Sequence, residues 1–356
     1  MNNPTGQNRT RNLSIDTFRV VGVFAIVLIH TNFLYGITPL NFSYGIVRNI
    51  SRFAIPFFMI TSGYFFAESV KRELLLPTLK RYLLRLMKLF LGWSLVYAVI
   101  PEHFIRNAFS RGLLDGLVYP LLSKITGTFS GVYHHPAHFL INGTSYHLWF
   151  FSALMMGAIL LSLLILLKQE KYLLFYAAFL FTAGLFITSH LVKIRVPSSF
   201  LWGNGPFYST AFFAIGWQVS QRIFTPTCFF SAMIILLGIA FRMAEVFWLQ
   251  KYFSIGENIF NINPCTLGAA LMGMGVFFLA LSQPMIGAPV PIFKIAPLTL
   301  GIYTIHPLVI SDIPGFPPES FPLVVWQVTR PLLIFMLSAG LGIILKKFKV
   351  TRGLVS

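Results

Sequence analysis

Charge is what this 356-residue chain has least of: Asp, Glu, Lys and Arg make up 10% of it, and only ten residues are acidic. Soluble globular domains carry about 25% charged residues, so that class is excluded. Cysteine is almost as scarce. Only Cys228 and Cys265 occur, and the apolar runs they open place them at opposite membrane faces, which excludes a disulfide between them. There is no internal repeat and no low-complexity segment. No stretch between the apolar runs is large enough to bury a core of its own, so a soluble domain is not expected within the chain.

What fills the chain is hydrocarbon. Hydrophobic residues make up 56%, and the mean hydropathy is +0.75. This is the profile of an all-α, polytopic membrane helix bundle. Ten apolar segments are expected as spans, at about 15–35, 46–67, 83–101, 147–167, 171–190, 205–221, 228–247, 264–282, 292–311 and 321–345. The first run is too long for a secretory signal core and lacks a small-residue cleavage site, so it is expected to be retained. The net charge of +17 would suggest nucleic acid in a soluble protein. Here topology accounts for it. With the basic N-terminus cytoplasmic, sixteen Lys and Arg fall at the inner face and six at the outer, the bias that orients membrane proteins. The expected layout is a basic N-terminus at 1–14, a membrane domain at 15–345 with one long outer loop at 102–146, and a basic tail at 346–356. Both termini are expected in the cytoplasm.

Ionisable residues inside such runs are expensive, so they mark interior or watered positions. The first run, Ser14 to Tyr35, carries Asp16, Arg19 and His30. Arg19 and His30 are eleven residues apart, which returns a helix to within about 20° of the same face and separates them by about 17 Å along its axis. Asp16 lies three residues before Arg19 and can pair with it. Read blandly, this is an interfacial anchor plus a hydrogen-bonded core histidine. The second run holds Arg48 and Arg52 one turn apart, then Pro56 and the small pair Ser62-Gly63, which admits a close neighbouring helix. The third opens with the densest basic patch, containing Lys80, Arg81, Arg85 and Lys88. That patch reads either as topology charge meeting lipid headgroups or as a clamp for a phosphorylated ligand, since arginine forks match phosphate oxygens.

In the outer loop, residues 113–125 are expected as a short interfacial helix and the rest as irregular chain. His134, His135 and His138 have no acidic or cysteine neighbour, so the loop reads as an acceptor-binding or plain surface loop rather than a metal site. The fourth run opens with Tyr146, His147 and Trp149. Further on, Arg242 and Glu245 sit one turn apart, and Gly203–Pro206 reads as a tight turn. The ninth run carries Tyr303 and His306-Pro307, and the tenth carries Arg330.

Taken together, these pieces resemble the acyltransferase-3 family of membrane acyltransferases, many of which O-acetylate bacterial surface polysaccharides. The resemblance rests on Ile15-Asp16-x-x-Arg19 with His30, Arg52…Pro56-Phe57-Phe58…Ser62-Gly63-Tyr64, His147-Leu148-Trp149-Phe150, and Gly301-Ile302-Tyr303…His306-Pro307, in that order over most of the chain. One departure is that the family's Arg-x-x-Arg at the third span stands here as Arg81-x-x-x-Arg85. The fused esterase-like domain of some relatives is not expected, so any acyl hand-off is expected within the bundle.

The resemblance implies a multi-pass enzyme of the bacterial cytoplasmic (inner) membrane. It would move an acyl group, acetyl foremost, from acyl-coenzyme A to a hydroxyl of an envelope or surface polysaccharide. The coenzyme thioester is then a co-substrate, and no permanently bound cofactor or metal is expected. The expected partners are a glycan or lipid-linked saccharide and membrane lipids, not nucleic acid. His30 would act as general base or as acyl-accepting nucleophile. Arg19, lower on the same stripe, would hold the thioester arm or a coenzyme A phosphate or neutralise developing charge, with Asp16 orienting Arg19. Lys80, Arg81 and Arg85 would hold the coenzyme. Arg52, Ser62, Gly63, His147, Trp149, Tyr303 and His306 would bind substrate or support the site. The rival expectation is a secondary transporter for an anionic solute using Arg19, His30 and Arg330. Its usual repeated halves are not seen. A noncatalytic scaffold fits the buried charges poorly.

Overall fold

The computed structural model describes residues 11–37, 41–186, 206–221, 225–253 and 266–355. Arg9, Lys193, Arg195, Arg222, the Gly203–Gly205 part of the expected turn and Cys265 lie outside the described residues, as does the side chain of Lys251. Cys228 is an exposed free thiol.

Helix α1 (Leu13–His30) begins where the Asn12 side chain accepts a hydrogen bond from the Ile15 N–H. Asp16 in its first turn favours the positive end of the helix dipole. The helix stops after His30, because Asn32 and Leu34 take left-handed backbone, with φ 51° and 67°, a region in which an L-residue helix cannot propagate. Helices α2 (Asn41–Ile50) and α3 (Ala54–Val70) are joined by a 3₁₀ turn, Ser51–Phe53. Together they form one apolar run of 29 residues, Phe42–Val70. Pro56 lies in the first turn of α3, where its missing N–H breaks no helical bond.

Helix α4 (Leu75–Val99) leads into the expected outer loop, which is instead mostly helical. It contains α5 (Phe104–Leu113), a π-helical turn at Leu114–Val118, α6 (Tyr119–His134) and α7 (Pro136–Asn142). A long-range contact stabilises what local pattern left irregular. The His103 N–H donates to Ser311 Oγ at 3.4 Å, and Asp312 Oδ1 accepts from the Arg106 N–H at 3.1 Å at the start of α5. His134, His135 and His138 are all exposed on this hairpin.

The chain continues through α8 (Trp149–Leu166), α9 (Leu173–Leu185), α10 (Pro206–Ser220), α11 (Cys228–Phe253) and α12 (Leu267–Ser282). A 3₁₀ run, Pro291–Leu298, then leads to α13 (Thr299–Asp312), α14 (Leu323–Lys347) and α15 (Lys349–Val355). Of the residues expected as a basic tail, Lys346 and Lys347 end α14, and Lys349–Val355 form α15, which turns back into the bundle. Val355 is fully buried, and Trp93 Nε1 donates to the Leu354 carbonyl at 2.8 Å.

Every regular element among the described residues is helical, which makes the chain an all-α membrane bundle. Seven helical runs are long and apolar enough to cross a bilayer. The remaining expected spans appear as α9, α10 and α12, of which 13, 15 and 16 residues lie among those described, against the roughly 20 that a perpendicular span needs. Among the described residues, then, seven helical runs are long enough to cross, and the expected count of ten is not confirmed.

The core is one large cluster in which Phe57, Phe151, Phe213 and Phe277 are almost wholly buried, with a small second cluster of Leu34, Ile37 and Tyr44. Helices α3 and α10 approach closely because Gly63 and Gly216 carry no side chain. A Cβ on Gly63 would stand 2.3 Å from the Phe213 carbonyl oxygen, and one on Gly216 would stand 2.1 Å from that of Ile60. On the other flank, fully buried Arg242 donates to Asn49 Oδ1 at 2.8 Å and Thr266 Oγ1 at 2.7 Å. Glu245 accepts from the Leu267 and Gly268 N–H groups at 2.9 and 3.2 Å, capping α12. Together these bonds join α2, α11 and α12.

Candidate active site

The expected stripe on α1 opens onto one cavity of about 620 Å³, bounded by α1, α3, α4, the start of α8 and the start of α13. Arg81, Arg85 and Thr78 from α4 line one end with Arg19. His30, Arg52, Tyr146 and His147 line the other. Between them the walls are mostly apolar, with Ile26, Phe58, Phe66, Leu89 and Phe150 among others, interrupted by the hydroxyls of Thr61 and Ser62. The sequence puts the two ends on one helix face, and the fold encloses the space between them.

At the basic end, Arg19 donates to Asp16 Oδ1 at 3.2 Å and to Thr299 Oγ1 at 3.3 Å. Asp16 is buried and is also paired with Arg11, so its carboxylate holds two guanidiniums side by side. Arg81 is ion-paired with Glu73. Lys80 is exposed and is not part of the wall, whereas Arg81 and Arg85 are. The i, i+4 spacing of that arginine pair puts both on one flank of α4.

At the histidine end, the His30 and His306 ring centroids are 5.2 Å apart, and those of His147 and His306 are 6.1 Å apart. Each ring is held through Nδ1. His30 Nδ1 meets the Tyr146 hydroxyl at 3.1 Å, and His147 Nδ1 meets Ser145 Oγ at 3.1 Å. His306 Nδ1 lies 3.2 Å from the Ile302 carbonyl oxygen. A carbonyl can only accept, so His306 carries its proton on Nδ1 and presents a lone pair at Nε2. The Nε2 atoms of His147 and His306 are buried with no hydrogen-bond partner among the described residues. Tyr303 lines the cavity and donates its hydroxyl to the His147 carbonyl, fixing the start of α8.

Of the residues singled out from sequence, Arg19, His30, Arg52, Ser62, Arg81, Arg85, His147, Trp149 and Tyr303 all line this cavity. Asp16 stands behind Arg19. His306 is fully buried behind His30 and His147 and is not part of the wall. Gly63 faces α10 instead, where it serves helix packing. Sequence reasoning did not single out Thr78, Tyr82 or Thr299 on the wall. Nothing in their local pattern distinguishes them from core residues. Tyr146 had one signal, its place beside His147.

A membrane helix bundle whose interior cavity joins guanidiniums to imidazoles is the class these features define. Residues 12–345 match the family model described as an acyltransferase domain, and the chain belongs to the acyltransferase-3 family. Two curated relatives are similar at low identity. An amino-acid racemase from Enterococcus faecalis is 25% identical over 325 residues, 83% of this chain and 40% of the relative. A serine/alanine racemase from Enterococcus gallinarum is 27% identical over 236 residues, 65% of this chain and 29% of the relative. The chain therefore spans less than half the length of these relatives. No match was found among solved structures.

Proposed function

We propose that this membrane acyltransferase carries an acyl group, acetyl foremost, from acyl-coenzyme A to a hydroxyl of a cell-envelope polysaccharide. The site would lie in the bacterial cytoplasmic membrane, with the basic end of the cavity facing the cytoplasm. The observation that carries this reading is that a single cavity is lined by Arg19, Arg81 and Arg85 at one end and by His30 at the other. Arginine forks match the phosphates of the coenzyme. The apolar middle suits the pantetheine arm and keeps bulk water from the thioester.

In the step this supports, His30 removes the proton from the acceptor hydroxyl as its oxygen attacks the thioester carbonyl. The carbon–sulfur bond then breaks, and the leaving thiolate takes the proton from His30, giving the oxygen ester and free coenzyme A. Arg52, on the same wall, favours the negative charge that develops on the carbonyl oxygen. The test is to incubate purified protein in lipid vesicles with isotope-labelled acetyl-coenzyme A and envelope glycan, then look by mass spectrometry for base-labile ester-linked label. No label on any glycan fraction would reject the reading.

A second reading has one observation in its favour, namely that the curated relatives are named as amino-acid racemases. It takes the cavity as a passage for a small charged solute such as an amino acid. Arg330, expected in such a path, is not part of the cavity wall. Counterflow of labelled amino acid in the same vesicles, without acyl donor, separates the two readings.

A further inference from the structure

A helix leaves its last carbonyls without donors, and in a bilayer interior each must find another partner. Helix α1 ends at His30, so this applies directly beside the candidate base. The Asn32 N–H donates to the Ile29 carbonyl at 3.4 Å, and two guanidiniums add to it. Arg330 Nη1 donates to the Thr31 carbonyl at 2.9 Å, and Arg48 Nη1 donates to the Ile29 carbonyl at 3.2 Å and to Asn32 Oδ1 at 2.9 Å. Ile29 and Thr31 flank His30 in the chain, so its backbone is held from both sides.

Arg330 does more than cap one helix. Its Nη2 donates to the Ile313 carbonyl at 3.4 Å, and Ile313 is the residue at the C-terminal cap of α13, the helix that carries His306. One guanidinium therefore spans the C-terminal ends of both helices whose histidine rings stand 5.2 Å apart. Charge favours the arrangement. Each helix C-terminus presents roughly half a negative charge, so two together offset one arginine in a place where a lone cation is expensive. Arg330 is 7% exposed, and among the described residues no carboxylate pairs with it. It is also absent from the cavity wall, so it does not touch a ligand there.

We propose that Arg330 is a positioning residue that sets His30 against His306 by capping α1 and α13 with one guanidinium, while Arg48 holds the other flank of His30. The kinetic arm of the test rests on the acyl-transfer reading, and the structural arm does not. The variants are Arg330→Met, Arg330→Lys and Arg48→Met, compared with wild type in vesicles by acetyl-transfer kinetics and by hydrogen exchange of peptides covering 26–34 and 306–314.

Arg330→Met is expected to lower kcat about 10- to 100-fold, with the KM for acetyl-coenzyme A within about twofold, the signature of a misplaced catalytic group. It should speed exchange in both peptides and leave the α3–α10 pair protected. Arg330→Lys should recover only part of kcat, since an ammonium cannot reproduce the planar fork. Arg48→Met should loosen the first peptide alone. If Arg330→Met does not fold, Arg330→Lys and Arg48→Met carry the same comparison. Unchanged kcat and exchange in the Arg330 variants would overturn the proposal, as would exchange that rises equally across α3 and α10. If wild type transfers no acyl group, the functional reading fails, and the exchange pattern still decides the clamp.

Discussion

Replacing His30 by Gln separates chemistry from packing at the point where the two differ most in size. His30 has one described side-chain hydrogen bond, from Nδ1 to the Tyr146 hydroxyl at 3.1 Å. A glutamine amide can still bond a phenol, and a typical hydrogen bond contributes about 0.5–1.5 kcal/mol to stability. The stability lost should therefore stay within about 1.5 kcal/mol. Glutamine cannot take a proton at neutral pH, and a positioned acid–base group contributes about 10²–10⁴-fold in rate. That corresponds to about 2.7–5.4 kcal/mol of barrier. The assay is the initial rate of label transfer from acetyl-coenzyme A, run beside coenzyme binding and thermal melting in detergent. The expected result is a loss of at least about 100-fold in rate, with donor affinity and melting near wild type. A folded His30→Gln protein that transfers at near-normal rate would refute the assignment, and His147, on the same wall, would become the next candidate.

Three further outcomes are expected besides that for Arg330. Arg81→Ala with Arg85→Ala should weaken coenzyme A binding and flatten its salt dependence, because exposed charge contacts are screened; unchanged affinity would reduce the patch to a topology signal. Gly63→Ala should destabilise the bundle by about 1–3 kcal/mol, since its Cβ would meet the Phe213 carbonyl oxygen at 2.3 Å, and an unshifted melting temperature would contradict the close α3–α10 contact. A reporter placed near Gly131 should lie on the opposite side of the membrane from one placed at 71–74, as the charge bias requires; finding both on one side would overturn the inside-to-outside direction of transfer.

Sequence by itself decided the class. Lipid offers no hydrogen bonds, so a spanning chain must be helical or a closed barrel, and continuous apolar runs of about 20 residues suit helices, not the shorter alternating strands of a barrel. The same physics made Arg19 and His30 conspicuous, and helical periodicity put them on one face before any tertiary contact was known. Their pairing with Asp16 was equally local, a matter of three residues along one helix. The family motifs were legible in the same way, since each is a short run on a single helix.

Tertiary structure decided what lies between and behind those residues. That Gly63 serves α10 while its neighbour Ser62 faces the cavity depends on how α3 is rotated in the bundle, and its nearly uniform hydrophobicity leaves no stripe from which to read that. The start of α5 in the outer segment is capped by Asp312, some two hundred residues later. No local pattern contains such a contact. The bond from Arg330 to the end of α1 spans 299 residues. Sequence marks that arginine as costly in a membrane, but only the folded bundle brings two helix ends to it, because the carbonyls that bind it are backbone atoms and leave no trace in the amino-acid code.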